Sequence, residues 1–504
     1  MARLAPLWLA LALVPAMAHA QDSLDDLDSL VASQAMAVAE SAVVPDTAKT
    51  GNGKASAEVN GYASQRLAYQ HITPAVPVST RDTPSLAEFA ELNLQLRVEL
   101  GRKSVFAYAD LSCVYQGGWI FYEDDGAGGR ASVANHDVPS LHPFVVPSEL
   151  YLSASLRPWM NLLVGKKRIT WGAGFAFNPT DLVNPPKDPT DPNYQRAGNW
   201  IARLEFPFEK FTLSALFAPQ ALYTQSGIPY AFMRYPGYPP ASGGDPRDQS
   251  SHYLLAGRLY ALVANTDINL IYYFSNAYQD AFRNKSRIGL SFSRYFFTDY
   301  ELHVEALLAR GSSRQFPVHA CADDPSSCAP SSMQTTSKTE DNAFNPRLIL
   351  GTRRLFADES QFSLEYYFQG DGYSDGEFAD AVKLRAVAKN LPSTAQSASD
   401  NALPQRYSFD PLRRHYLILS YSKPRIFDDW TINVVLIAGL RDLSGLVSPS
   451  VVWSAREWLS LGVYGYLPIH GLGIGEVRAM NGTWSEYAMA PYAFRVLFEA
   501  RAYY

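Results

Sequence analysis

The sequence predicts an all-β fold, a transmembrane antiparallel up-and-down β-barrel, and three observations carry that prediction. Apolar and polar residues alternate with period two from Ser56 to the end of the chain. Short turns and long polar connections take turns along it. Nothing after Gln21 forms an apolar run of the roughly 20 residues that a spanning helix needs.

The alternation is plainest over residues 90–100, where Leu92, Leu94, Leu96, Val98 and Leu100 interleave with Glu91, Asn93, Gln95, Arg97 and Glu99. The final stretch repeats it. Tyr492, Phe494, Val496, Phe498, Ala500, Ala502 and Tyr504 fall on one side, with Arg495, Glu499 and Arg501 on the other. In a barrel that spans a bilayer, the apolar side meets lipid and the charged side a watery lumen.

Tight turns are expected at residues 101–103, 157–159, 207–210, 265–267, 297–299, 357–360, 424–428 and 455–457. Between them lie connections over residues 116–145, 172–197, 219–250, 311–345, 371–413 and 468–490. Those over 276–284 and 441–445 are short. Short periplasmic turns and long extracellular loops fit this asymmetry. Counting gives about 18 strands, an even number that leaves both chain ends at the periplasmic side; 16 is the alternative, because residues 56–69 alternate weakly.

Residues 1–20 read as a signal peptide: Arg3, an apolar run from Leu4 to Met17, then Ala18-His19-Ala20 before a cut at Gln21. Residues 21–55 open acidic, with leucines at helical spacing, and are a periplasmic tail or a small plug. Residues 56–504 form the barrel, since no linker or repeat divides them.

The formal charge is −6, or −6 − 1 = −7 once Arg3 leaves, without a basic block, which argues against a nucleic-acid partner. Aromatic residues make up 13%, including 30 Tyr, as two bilayer interfaces require. Cys321 and Cys328 flank a short polar stretch and are expected to form a disulfide in an oxidising compartment, whereas Cys113 sits in a strand pattern. No nucleophile elbow or metal-binding His pair appears, and Ser251-His252 is the sole adjacent Ser/His pair, so catalysis and a cofactor are not expected.

Alternation sends a mixed set of charges inward: Glu91, Arg97, Glu99, Lys166, Arg168, Arg203, Glu205, Arg287, Glu301, His303, Glu305, Glu365, Arg495, Glu499 and Arg501. Such a mixture suits a weakly selective pore, or cross-strand ladders that keep the lumen wet and the register fixed. The most distinctive stretch is residues 165–193, GKKRITWGAGFAFNPTDLVNPPKDPTDPN. Stiff prolines after a glycine entry suit a segment folded into the lumen or one covering the mouth. Lys166, Arg168, Trp171, Asp181, Asp188, Arg203 and Glu205 are the candidate constriction and selectivity residues. Asp181, Asp188, Asp191 and Asn184 match no calcium loop, and turn capping accounts for them.

Trp171, Gly172, Asn178, Pro179, Asp181, Asn184, Pro185 and Asp188 give this stretch a Trp-Gly, Asn-Pro, Asp-x-x-Asn-Pro pattern. In it the chain resembles a group of porin-like, largely uncharacterised Gram-negative outer-membrane barrels. The resemblance implies a channel or export role with no particular cargo. It also implies that the C-terminal aromatic, with Phe498 and Tyr504 as the candidate signal, is shown to the barrel assembly machinery. The expected function is passive diffusion or export of small solutes through the outer membrane, among lipid and lipopolysaccharide, as a monomer or homotrimer. A plugged barrel serving as adhesin or anchor, or a carrier of hydrophobic compounds, is the alternative.

Overall fold

A computed structural model describes residues 56–72, 86–99, 105–124, 130–137, 141–184, 190, 198–219, 253–275, 286–297, 299–317, 335–338, 343–388, 411–472, 476–479, 482–490 and 492–504. The expectations for residues 1–55, for the Cys321–Cys328 disulfide and for Asp188 lie outside them.

Strands β1 (Ser56–Ile72), β2 (Leu86–Glu99) and β3 (Val105–Asp124) open the chain; β3 continues into a hairpin with β4 (Arg130–Asp137), and β5 (Leu141–Arg157) returns along β3. Then follow β6 (Met160–Lys167), β7 (Asn199–Pro207), β8 (Phe211–Pro219), β9 (Tyr253–Val263), β10 (Thr266–Ser275), β11 (Ser286–Phe296) and β12 (Tyr300–Arg310). A small separate hairpin, β13 (Ser312–Pro317) with β14 (Thr335–Lys338), precedes β15 (Phe344–Leu355) and β16 (Gln361–Gln369). Helix α1 (Asp375–Ala388) separates these from β17 (His415–Ile426), β18 (Trp430–Gly439), β19 (Gly445–Arg456) and β20 (Leu459–Ile469). A second hairpin of β21 (Val477–Ala479) and β22 (Gly482–Trp484), then a 3-10 turn at Tyr487–Met489, lead to β23 (Tyr492–Tyr503).

Each barrel strand pairs antiparallel with its neighbours, and β23 pairs with β1, closing an 18-stranded barrel without free edges. The closing seam is fixed at the last residue. Tyr504 N–H donates to Gly61 O at 3.0 Å, Gly61 N–H donates back at 3.2 Å, and the Tyr504 hydroxyl donates to Asn93 O at 2.6 Å. A side chain at Gly61 would fall 2.4 Å from that hydroxyl oxygen, so glycine is what admits the ring.

Burial alternates as the period predicts. Along β12, Glu301, His303, Glu305, Leu307 and Ala309 are buried while Leu308 is exposed; along β9, Leu254 and Ala256 are buried while Leu255 and Leu259 are exposed. Leucines and isoleucines facing outward on strand after strand make the apolar band of a membrane-spanning barrel. Aromatics edge it. At the short-turn end Trp159 lies against Phe206, Phe208 against Phe211, and Trp430 against Trp453, with ring centroids 6.3, 4.5 and 5.6 Å apart.

Candidate functional site

The strand β6 stays paired in the wall as far as Lys167, after an irregularity at Gly165. Its φ of 134° lies in the region that glycine favours, and a Cβ there would sit 2.3 Å from Leu150 O. Beyond this point Gly198 N–H donates to Ser148 O at 2.8 Å, so the chain ahead of β7 and that at β5 meet behind the departing segment. Residues 168–184 then turn into the barrel and form a strap.

The root of the strap is knotted by Asn184 and Asp181. Ile169 N–H donates to Asn184 Oδ1 at 3.1 Å, and the Asn184 amide donates to Ile169 O and, at 2.9 Å, to the Asp181 carboxylate. Asp181 thus works as a turn-forming side chain, and among the described residues no cluster of acids, His or Cys is placed to hold a metal. Trp171 is fully buried, with its ring 5.9 Å from that of Tyr273 and the Arg258 guanidinium 5.9 Å from its centre. Tyr273 in turn donates to Thr180 O at 2.6 Å.

Two buried carboxylates on the inner wall hold the middle of the strap. Glu305 on β12 accepts from the backbone N–H groups of Ala173, Gly174 and Thr180, and from the Thr180 hydroxyl at 2.8 Å. Glu365 on β16 accepts from Phe175 N–H and, at 2.9 Å, from Ala176 N–H. Charge-assisted bonds of this kind to otherwise orphaned donors let an irregular backbone cross the inside of a barrel. Gly172, with φ 130°, makes the close pass possible: a Cβ there would lie 2.5 Å from the Glu305 carboxylate.

Behind Glu365 lies a buried relay. His303 Nε2 is 2.8 Å from Glu365, His303 Nδ1 is 3.6 Å from Glu301, and Glu301 meets Arg353 at 2.6 Å. Further along, Phe177 stacks on Tyr367 at 4.8 Å, and Ser448 on β19 donates to Thr190 O at 3.1 Å. The strap therefore runs from the β6–β10 wall past β12 and β16, and the chain beyond it reaches β19. α1, Tyr487 and Met489 join Phe177 in one buried apolar cluster on that far side.

The facing wall, β23 with β1, β2, β3 and β5, is lined by polar groups. Glu499 is paired with Arg66 at 2.5 Å and Arg501 at 3.0 Å, Tyr62 donates to Glu91 at 3.1 Å, and Asn93 donates to Asp110 at 2.6 Å. Arg168, at the foot of the strap, lies 3.9 Å from Glu149 on β5, whose carboxylate also accepts the Arg168 N–H at 2.7 Å.

Alternation alone places Lys166 with Arg168, Arg203 and Glu205; the register separates them. Arg203 pairs with Leu163 and Glu205 with Asn161, whereas Lys166 pairs with Leu150 and Trp200, in step with outward Val164, and is buried. Gly165 has no side chain to mark the phase, so sequence periodicity loses count there. Lys167 stacks 4.2 Å over the ring of Tyr151 and donates to its hydroxyl at 3.0 Å, so this lysine also reaches the inner wall. Arg203 and Glu205 pair with each other at 3.6 Å. The strap's anchors, Glu305 and Glu365, are legible in the sequence as inward charges, but nothing in their spacing to residues 173–180 marks them as its holders.

With this geometry in view, comparison with known proteins finds likeness among solved structures only. No family model matches the chain, and no curated protein does. Among solved structures, OccK7 (OpdD) of Pseudomonas aeruginosa is similar over 89% of this chain and 98% of its own, at 11% identity and a TM-score of 0.47. OccK5 (OpdH) of the same organism is similar over 89% and 98%, at 10% identity and 0.46. A mutant of the Rh. blastica porin is similar over 89% and 100%, at 10% identity and 0.36. The low identity leaves solute and residue roles to this chain's own geometry.

Proposed function

We propose that this barrel is a porin-like outer-membrane channel for passive diffusion of small solutes, narrowed from within by the strap. The single observation that carries this is the strap's attachment to Glu305 and Glu365, which holds residues 173–180 against one side of the lumen and leaves the polar wall of β23, β1, β2, β3 and β5 opposite. The conduit runs between the two. Its polar lining replaces part of a solute's hydration shell, and its paired charges of both signs give weak ion preference. Export by the signal peptide and recognition of Phe498 and Tyr504 by the assembly machinery bring it to that membrane.

A second reading, a sealed barrel that presents its loops to a partner, is favoured by the apolar cluster that α1 and Met489 build within the far side. Single-channel recording in planar bilayers separates the two. Discrete open steps with wild-type protein support the channel, and a current at baseline supports the sealed barrel.

A further inference from the structure

The second anchor of the strap, Glu365, has an imidazole behind it. The His303 ring on β12 is fully buried, with Nε2 2.8 Å from Glu365 and Nδ1 3.6 Å from Glu301, whose side chain is fully buried as well. The wall is cut back to seat it. Gly351 on β15 pairs with His303 in the sheet, and a Cβ there would collide with the ring and lie 2.9 Å from Glu365 Cγ. Passage of a solute along the conduit does not call on this ring, yet it touches the carboxylate that accepts Phe175 and Ala176 N–H.

The surroundings of the ring are those of a cation. Around it stand Ser293 and Tyr295 on β11, Glu301 and Glu305 on β12, Arg353 on β15, and Ser363 and Glu365 on β16. Three of these are carboxylates, and Arg353, 2.6 Å from Glu301, is the one cation among them. A neutral imidazole has one N–H and one lone pair, whereas an imidazolium has two N–H groups. With its N–H given to Glu365, a neutral ring turns a lone pair on the Glu301 carboxylate, and Nδ1 has no hydrogen-bond partner among the described residues. An imidazolium faces each carboxylate with a proton and supplies a second cation. Without it the Glu365 charge is buried against the strap's N–H groups alone, and a buried ion stripped of its partner is strongly destabilising.

We propose that His303 is a positioning residue for the constriction: charged, it balances Glu365 and keeps the strap docked, and neutral, it lets the strap loosen, so that the conduit widens on the alkaline side. This rests on the strap being what narrows the channel. The proton passes from Nδ1 to solvent, and the bare Nδ1 then faces Glu301. Glu365 gains by turning to the water of the conduit, which takes its oxygens away from Phe175 and Ala176 N–H. Glu305 keeps Ala173, Gly174 and Thr180, so the movement centres on residues 175–177.

The test follows the amides of residues 173–177 by hydrogen exchange in the full chain in phospholipid vesicles, each rate taken relative to an unstructured amide at the same pH. In wild type the protection of Phe175 and Ala176 is expected to fall several-fold, reversibly, from mildly acid to alkaline pH, with Ala173 and Gly174 falling less. Single-channel steps are expected to grow over the same range. His303→Gln, which keeps an N–H for Glu365 but does not titrate, is expected to make protection level with pH. Glu365→Gln, which needs no cation beside it, is expected to do the same. Level protection in wild type overturns the proposal, and that result decides even where a variant fails to fold. A fall that persists in either variant also overturns it, and places the titrating group elsewhere, Glu486 in the far cap being one. Open steps of constant size despite the fall overturn the widening. A current at baseline at every pH, with the fall intact and absent from both variants, refutes the channel while His303's hold on the strap stands.

Discussion

Glu305 concentrates the energetics of the strap in one side chain. Replacing it with Ala takes the shared acceptor from the backbone N–H groups of Ala173, Gly174 and Thr180, at about 1–3 kcal/mol for each group left without water or partner, while the Thr180 hydroxyl keeps Trp171 O. Glu305→Ala is therefore expected to free the strap and give larger, noisier single-channel steps than wild type, while Glu305→Gln, which still accepts, changes them less. The cations at the strap's foot make a second case. Neutralising Lys167 and Arg168 together is expected to move the reversal potential in a salt gradient toward cation preference, and neutralising Lys166 to leave it in place. The opposite order would put Lys166 in the pore. A residue's type was legible from the sequence here and its phase was not, because one glycine at position 165 erased the count.

At the scale of elements, the long connections are built to opposite pH signs. Burial lifts the Glu486 carboxyl to about 7, with Asp442 adding to the effect, although Leu412 N–H and the Tyr416 hydroxyl bind it. A carboxyl raised on folding favours the folded form at low pH, and that contribution is lost as pH climbs through about 7. Asp371 behaves the other way. Burial opposes its ionisation, but Arg347 at 2.8 Å, Arg314 and the Ser312 hydroxyl outweigh burial and hold the carboxyl well below the usual range. Its contribution is present at neutral pH and disappears on acidification. Hydrogen exchange is expected to show the amides of Leu412 and Glu486 opening faster above neutral pH, and those around Gly370 and Gly372 opening faster in acid. The long connection over residues 371–413 reads in the sequence as polar loop; α1 within it carries no marked apolar stripe, and Phe378, Ala381 and Val382 are buried by packing into the cluster with Tyr373 and Leu412.

For the whole molecule, the seam between Gly198 and Ser148 means that the wall behind the strap is already closed. Deleting residues 173–181 is thus expected to leave a barrel that still shifts on heating in a denaturing gel, with a larger conductance than wild type. Loss of the heat shift would show the strap to be a structural strut. Gly61→Ala is expected to act on the opposite property, lowering the temperature of that shift by crowding Tyr504 at the closing seam. The sequence by itself determined the strand period, the alternation of short and long connections and the even strand count, because each is a local consequence of side chains facing either lipid or lumen. Only the tertiary structure decided that residues 168–184 enter the barrel, that Glu305 and Glu365 receive them, and that His303 stands behind Glu365. Those contacts join residues far apart along the chain, and their geometry depends on where a closed, tilted wall brings strands together, which no local pattern encodes.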